Sequence, residues 1–250
     1  MKFSSHSGYI LYPAGIDNGV VCGSTFDASA GGIYSNYALH TSEGPGETRN
    51  ITEARDRLRD ELGFGALVTL KQVHGEKIHK IGGDIRGYTD DPLIEGDAII
   101  TDSKNVLIGV LTADCVPVMF YSAERVGIAH CGWKGVFAGL HTKTALAMGS
   151  APGDLTVVFG PNIRVCCYKV GADLVEKFRD AGRDPVFTER GGEFYFDLEG
   201  TIKAELISLG IPAGNIHTPE LCTLDSSAPG FYSYRRGDLK PRILSFIGLR

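Results

Sequence analysis

From residue 97 to residue 130 the chain passes through four short apolar runs, 97–101, 106–111, 116–121 and 125–130, and each reads as a β-strand. The last two, Val116-Pro-Val-Met-Phe-Tyr121 and Arg125-Val-Gly-Ile-Ala-His130, are separated only by Ser122 to Glu124, which fits an antiparallel hairpin. A turn centred between residues 122 and 123 sets Cys115 directly opposite His130 at the open end. Opposed side chains in such a pair stand about 4.5–5.5 Å apart at Cβ. That separation suits one thiolate and one imidazole sharing a zinc ion, with Zn–S about 2.3 Å and Zn–N about 2.0–2.1 Å. Pro117 lacks a ladder donor and predicts an edge or a bulge in its strand.

A second imidazole, His74, lies where the strand-like run 66–73 gives way to Gly75, a place where loops present functional groups. Two nitrogens and one sulfur leave the fourth position of a tetrahedral zinc open, the ligand count of a catalytic site. Sequence spacing does not show that the His74 loop faces the hairpin end. Taken singly, each ligand has a plainer reading: a cysteine after a strand is most often a small buried apolar group, and a histidine at a strand end a surface or capping residue. Asp114 by sequence, and Asp97 if its strand is adjacent, are carboxylates placed to orient an imidazole or to cap a turn, the turn role being the commoner.

Around this site the chain shows no low-complexity tract, no clear repeat and no linker. Residues 8–12, 20–26, 155–159 and 242–248 also read as strands. Helical spacing of apolar residues predicts helices over Ile51 to Leu62, Val136 to Met148, Ala172 to Ala181 and Leu198 to Leu209, the last ended by Gly210 and followed by Pro212. Strands and helices mix without strict alternation, which favours an α+β fold with a mixed sheet over a doubly wound one. The expectation is one catalytic domain over residues 1–250.

The net charge of -5 and the absence of a basic stripe disfavour extended nucleic-acid binding. The most apolar stretch, Val106 to Tyr121, is too short to span a bilayer and contains Asp114. Six cysteines without a signal-like leader point to a reducing compartment, so a cytoplasmic location is expected.

The blocks Gln72-Val-His-Gly75, Thr112-Ala-Asp-Cys115 and His130-Cys-Gly-Trp-Lys-Gly135 resemble the signature blocks of the laccase-domain, YfiH-like family. The resemblance extends over most of the chain: Asn36-Tyr-Ala-Leu-His40, Gly160-Pro-Asn-Ile163 with Cys166-Cys-Tyr168, Cys222-Thr223, and Phe231-Tyr-Ser-Tyr-Arg-Arg236 fall in the family's order. It implies mixed β-sheets packed as a sandwich with flanking helices, and His74, Cys115 and His130 as zinc ligands. It further implies phosphorolysis of adenosine, inosine and methylthioadenosine, with adenosine deamination as a side activity. Other relatives are tied to copper-dependent oxidation of phenols or to editing of peptidoglycan precursors. The chain departs from the family pattern at Cys131, Lys134, Ala54 and Lys169, where a small residue, Arg, Asn and Glu are usual. Lys134 keeps the charge but loses the planar fork that grips an oxyanion.

For phosphate and nucleoside the candidate ligands are Arg55, Lys134 and Asn36, with Arg235 and Arg236 weaker. Trp133, the only tryptophan, is a candidate to stack on a purine, with core packing the commoner role. The His-x-Glu and Cys-x-x-Cys pattern of base deaminases is missing, so deamination requires another arrangement. Two rival chemistries use the same residues. Seven histidines without a His-x-His pair make a multicopper cluster implausible, but two His and one Cys with Met119 as axial ligand would form a blue-copper site. Alternatively, Cys115 is the nucleophile of a hydrolase and His130 its base. A zinc-binding module that only recognises nucleotides is the non-catalytic reading.

Overall fold

The computed structural model describes residues 4–6, 8–13, 19–26, 44–82, 85, 94–225 and 230–250. Numbering strands along the chain, one six-stranded sheet runs β1 (Ser4–Ser5), β2 (Tyr9–Leu11), β3 (Val20–Thr25), β15 (Ile243–Leu249), β7 (Val106–Thr112), β4 (Ala66–Thr69). A second runs β14 (Ile216–His217), β10 (Thr156–Phe159), β8 (Val116–Tyr121), β9 (Val126–Cys131), β6 (Ala98–Thr101), β5 (Ile78–Ile81). Both sheets are mixed: β4 lies parallel to β7, β5 to β6 and β14 to β10, and the other pairs are antiparallel. A small third sheet holds β11 (Lys169–Val170), β13 (Glu193–Asp197) and β12 (Val186–Arg190).

Period-two alternation explains how the sheets stack. Residues 108 and 110 of β7 and 126 and 128 of β9 face one another across a shared core with Ile99, Met119 and Ile247. The opposite face of β7 and β15, with Leu107, Leu244 and Phe246, takes Ala54 and Leu58 of helix α1 (Pro45–Glu61). The outer face of the second sheet, with Val118, Phe120 and Ala129, packs on α2 (Trp133–Phe137), α3 (Leu140–Ala147), α4 (Ala172–Asp180) and α5 (Leu198–Ser208). The result is an α+β sandwich of two sheets between helical layers. Burying a side chain such as Phe120 or Phe246 contributes about 1.5–3 kcal/mol, so both seams are strongly held. No helix among the described residues is long and apolar enough to cross a membrane.

Several expectations need correction. The helix expected over Val136 to Met148 is two helices, because Gly139 takes a left-handed φ of 75° that ends α2 and starts α3. The first helix starts at Pro45, six residues early, where proline suits the first turn. The run 66–73 keeps ladder pairing only to Thr69. Pro117 lies at neither an edge nor a bulge: β8 is interior and its register with β9 is unbroken. Pairing with β10 ends at Val118, so the missing N–H falls at the end of that ladder. The β12–β13 hairpin was not anticipated, although Gly191-Gly192, both at positive φ, is a strong two-residue turn signal.

Candidate metal centre

The hairpin forms with a different register. Ser122 N donates to Arg125 O at 2.9 Å, leaving Ala123 and Glu124 as the loop, and His130 pairs with Pro117 rather than Cys115. Cys115 therefore lies two residues out of register, just before β8 begins. A shift of two preserves the face, so both side chains still point into the seam between the sheets. A diagonal neighbour at this offset remains within reach of long side chains.

His74 closes the group from the first sheet. The chain leaves β4, and Gln72 extends the pairing with its side chain: Nε2 donates to Leu111 O and Oε1 accepts from Leu111 N, both at 2.7 Å. His74 then adopts φ 58°, in the left-handed region that histidine enters more readily than most residues. This turn aims the amides of Val73, His74 and Gly75 at the Asp97 carboxylate, at 3.3, 3.0 and 2.8 Å. Successive amides of this kind form an anion-holding nest. Asp97, fully buried at the entry to β6, also stands 2.9 Å from His130 Nδ1. It therefore both caps the turn and orients the imidazole.

The ligand atoms of His74, Cys115 and His130 all lie within 4.8 Å of one another, and Cys115 Sγ is 4.0 Å from His74 Nε2. Burial disfavours a thiolate at Cys115, but His130 and His74 outweigh it and lower the pKa to about 6. Burial likewise disfavours charge on His130, and the Cys115 sulfur and Asp97 reverse this, raising it to about 9. Asp97 itself is held below the usual carboxylate range: burial opposes ionisation, but the His130 and amide hydrogen bonds prevail. Gly132, opposite Cys115, leaves room for the sulfur. A Cβ there would sit 2.9 Å from Cys115 Sγ and 3.3 Å from His74 Cδ2.

The donor set of two imidazoles and a thiol poised as thiolate fits a borderline-soft divalent ion, and three ligands are the complement of a catalytic zinc site. The cluster opens into a cavity of about 600 Å³. Trp133, Tyr168 and Tyr234 supply aromatic walls, and Lys134, Arg235 and Arg242 supply positive charge. Trp133 lines the cavity with one part and packs on the helical core with another. Lys134, exposed on α2, has no ion-pair partner among the described residues, and its Nζ stands 5.8 Å from the Trp133 ring centroid. Arg235 lies over Tyr168 at 5.1 Å and donates to Lys169 O.

The remaining candidates separate. Arg55 does not line the cavity; it is buried and donates to Thr69 Oγ1 at 2.9 Å. Arg236 also lies outside the cavity lining, with its guanidinium bonded to Thr223 O, Phe231 O and Asp238. Asn36 is outside the described residues. Met119 is buried in the core between the sheets and does not line the cavity. Asp114, at φ 94°, accepts from Thr223 Oγ1 at 2.6 Å and Arg235 N at 2.8 Å, so it ties the C-terminal segment to the site rather than acting as a ligand. Cys131 points to the opposite face from His130, into the helical core. Sequence reading missed Arg242, which stands immediately before β15 and belongs to no motif.

Comparisons with known proteins show the family and the fold. Residues 28–250 match the family described as multi-copper polyphenol oxidoreductase laccase. A protein of Aquifex aeolicus named purine nucleoside phosphorylase is 35% identical over 210 residues, covering 80% of this chain and 97% of its own. Purine nucleoside phosphorylase YlmD of Geobacillus stearothermophilus is 32% identical, covering 86% of this chain and 83% of its own. Among solved structures, the hypothetical protein YfiH of Bacillus licheniformis superposes with TM-score 0.85 at 29% identity, over 99% of both chains. The structure of YlmD from Geobacillus stearothermophilus gives 0.84 at 30% identity, over 99% and 98%.

Proposed function

The chain belongs to the multi-copper polyphenol oxidoreductase laccase family, and from that premise we propose that it is a zinc-dependent purine nucleoside phosphorylase, built as one catalytic domain and working in a reducing, cytoplasmic setting. One observation carries the reading: the His74–Cys115–His130 cluster opens into a cavity that joins aromatic walls with three cations. Aromatic faces suit a purine, and the cations suit phosphate. Relatives named purine nucleoside phosphorylase support the same choice.

His74, Cys115 and His130 would hold the ion, which when bound supplies Lewis acidity. The protein's own part is positioning. Asp97 fixes the His130 ring and the His74 turn together. Lys134, Arg235 and Arg242 hold phosphate beside the sugar. In the reaction a phosphate oxygen bonds to the ribose anomeric carbon as its bond to the base nitrogen breaks, and the base leaves with a proton. Adenosine, inosine and methylthioadenosine are the proposed substrates. Adenosine deamination, in which water adds at the purine carbon and the amino group leaves as ammonia, is the proposed side activity.

Copper-dependent phenol oxidation is the second reading, favoured by the family's description. Met119 is buried between the sheets and does not line the cavity, which counts against it as the axial ligand of a blue-copper site. Incubating zinc-loaded protein with adenosine and phosphate, then separating products, tests the proposal. Adenine with an equal amount of ribose 1-phosphate supports it; inosine alone, or no product, refutes phosphorolysis. Oxygen uptake with a phenol, dependent on copper, would favour the second reading.

A further inference from the structure

A second group of ligands lies outside the catalytic cluster. Cys166 and Cys167 stand in the turn after Ile163, and Cys222 comes from the segment after β14; their sulfurs all lie within 4.8 Å of one another. Cys166 Sγ is 3.2 Å from Cys167 Sγ and 3.6 Å from Cys222 Sγ. Adjacent residues in an extended chain point their side chains apart. Here the Arg164 carbonyl accepts from both Cys167 N and Tyr168 N, and this tight turn brings neighbouring thiols to one side. The two segments are joined independently of sulfur, since Asn162 N donates to Leu221 O and Thr223 N to Asn162 O.

From this convergence we infer that Cys166, Cys167 and Cys222 form an all-sulfur binding site for a soft monovalent cation, with Cu(I) as the fitting ion. With metal–sulfur bonds of about 2.3 Å, a trigonal site needs sulfurs about 4 Å apart, and the observed separations require only small adjustments. A closed zinc site takes four protein ligands. Among the described residues the group contains three, which suits an ion content with fewer donors, and thiolate softness selects Cu(I).

The surroundings favour an anionic sulfur at Cys222 only; burial and the neighbouring sulfurs push the Cys166 thiol up and the Cys167 thiol up to about 12, so the ion itself must displace those two protons. The backbone amides of Arg164, Leu224 and Asp225 donate to Cys222, and Arg190 braces the turn through the carbonyls of Val165 and Cys166. Cys222 is buried while Cys166 is exposed, so the site has a fixed floor and an open entry. Binding displaces the thiol protons to solvent and leaves the copper oxidation state unchanged. It also clamps the segment carrying Tyr168, a wall of the cavity, to Thr223, which holds Asp114.

The test is anaerobic titration of reduced, zinc-loaded full-length protein with Cu(I), in competition with a chromophoric Cu(I) chelator. Wild type is expected to take up one equivalent, with ultraviolet sulfur-to-copper charge transfer. Cys166→Ser and Cys167→Ser should lose that uptake while keeping the wild-type melting curve without copper. Cys115→Ser should retain it. No uptake by wild type, or undiminished uptake by both serine variants, overturns the site. Loss of uptake only in Cys115→Ser would assign the copper to the catalytic cluster and overturn it equally. A Cys166–Cys222 disulfide formed on oxidation, with no Cu(I) uptake by the reduced protein, would also refute it. Because phosphorolysis is not a readout, this result is independent of the proposed activity.

Discussion

Asp97 Oδ1 stands 2.9 Å from His130 Nδ1, and the same carboxylate accepts the amides of residues 73–75, so one buried acid sets the geometry of both imidazoles. With Nδ1 committed to the carboxylate, His130 turns Nε2 toward the sulfur and the cavity. Asp97→Asn keeps the shape but weakens this control. Zinc affinity should fall about 10–100-fold, the usual effect of losing a carboxylate behind a ligating histidine. Chelator competition measures it, and an unchanged affinity would detach Asp97 from the metal centre.

Gly132→Ala places a methyl group 2.9 Å from Cys115 Sγ, against a sulfur whose position is fixed by the start of β8. Overpacking of this kind costs about 1–3 kcal/mol, and here it falls on the ligand rather than on the core. Bound zinc after dialysis should drop well below that of wild type, with little change in circular dichroism. Full zinc retention would show that the sulfur has room to move.

Lys134 has no ion-pair partner among the described residues, which leaves its charge available to the cavity. Lys134→Ala should raise the phosphate KM by about tenfold, equivalent to roughly 1.4 kcal/mol, and leave zinc content unchanged. Lys134→Arg should recover most of the loss. Phosphate saturation curves that overlay for wild type and the alanine variant would remove Lys134 from the site.

One source of acid sensitivity lies between the helices. Glu205 of α5 meets His141 Nε2 at 2.7 Å and pairs with Arg183. Burial opposes its ionisation, but these partners prevail and its pKa is lowered on folding. A carboxyl with a depressed folded pKa stabilises fully above its unfolded pKa of about 4.3 and loses that contribution as pH falls through the folded value. Urea midpoints should therefore decline below about pH 5 more steeply in wild type than in Glu205→Gln. Parallel pH profiles would contradict this.

The fold and the convergence of His74, Cys115 and His130 were legible where a short-range rule governs them. Period-two alternation fixes which face a strand residue occupies, and that sufficed to put Cys115 and His130 in one seam. It does not distinguish registers that differ by two, so the pair expected to be directly opposed is diagonal instead. His74 was readable as a loop residue, but the Asp97 nest that aims it requires β6 to neighbour the β4 exit, a long-range fact. Arg55 illustrates a different limit: charge on a helix face says nothing about which layer the helix covers, and Arg55 is buried against Thr69 rather than lining the cavity. Arg242 was invisible because it belongs to no motif, and apart from Tyr234 and Arg235 the residues that share its cavity wall are far away in sequence. Gly139 and the Gly191-Gly192 pair were local signals that alternation and helical periodicity had overridden.

The proposed chemistry requires two imidazoles and one thiolate to grip the same ion. X-ray absorption at the zinc edge, on protein reconstituted with one equivalent, reads those ligands directly. The predicted spectrum has one sulfur at about 2.3 Å and nitrogen or oxygen neighbours at about 2.0–2.1 Å, with the sulfur lost in Cys115→Ala. A shell without sulfur, an all-sulfur shell, or a sulfur that survives the Cys115→Ala change would contradict it.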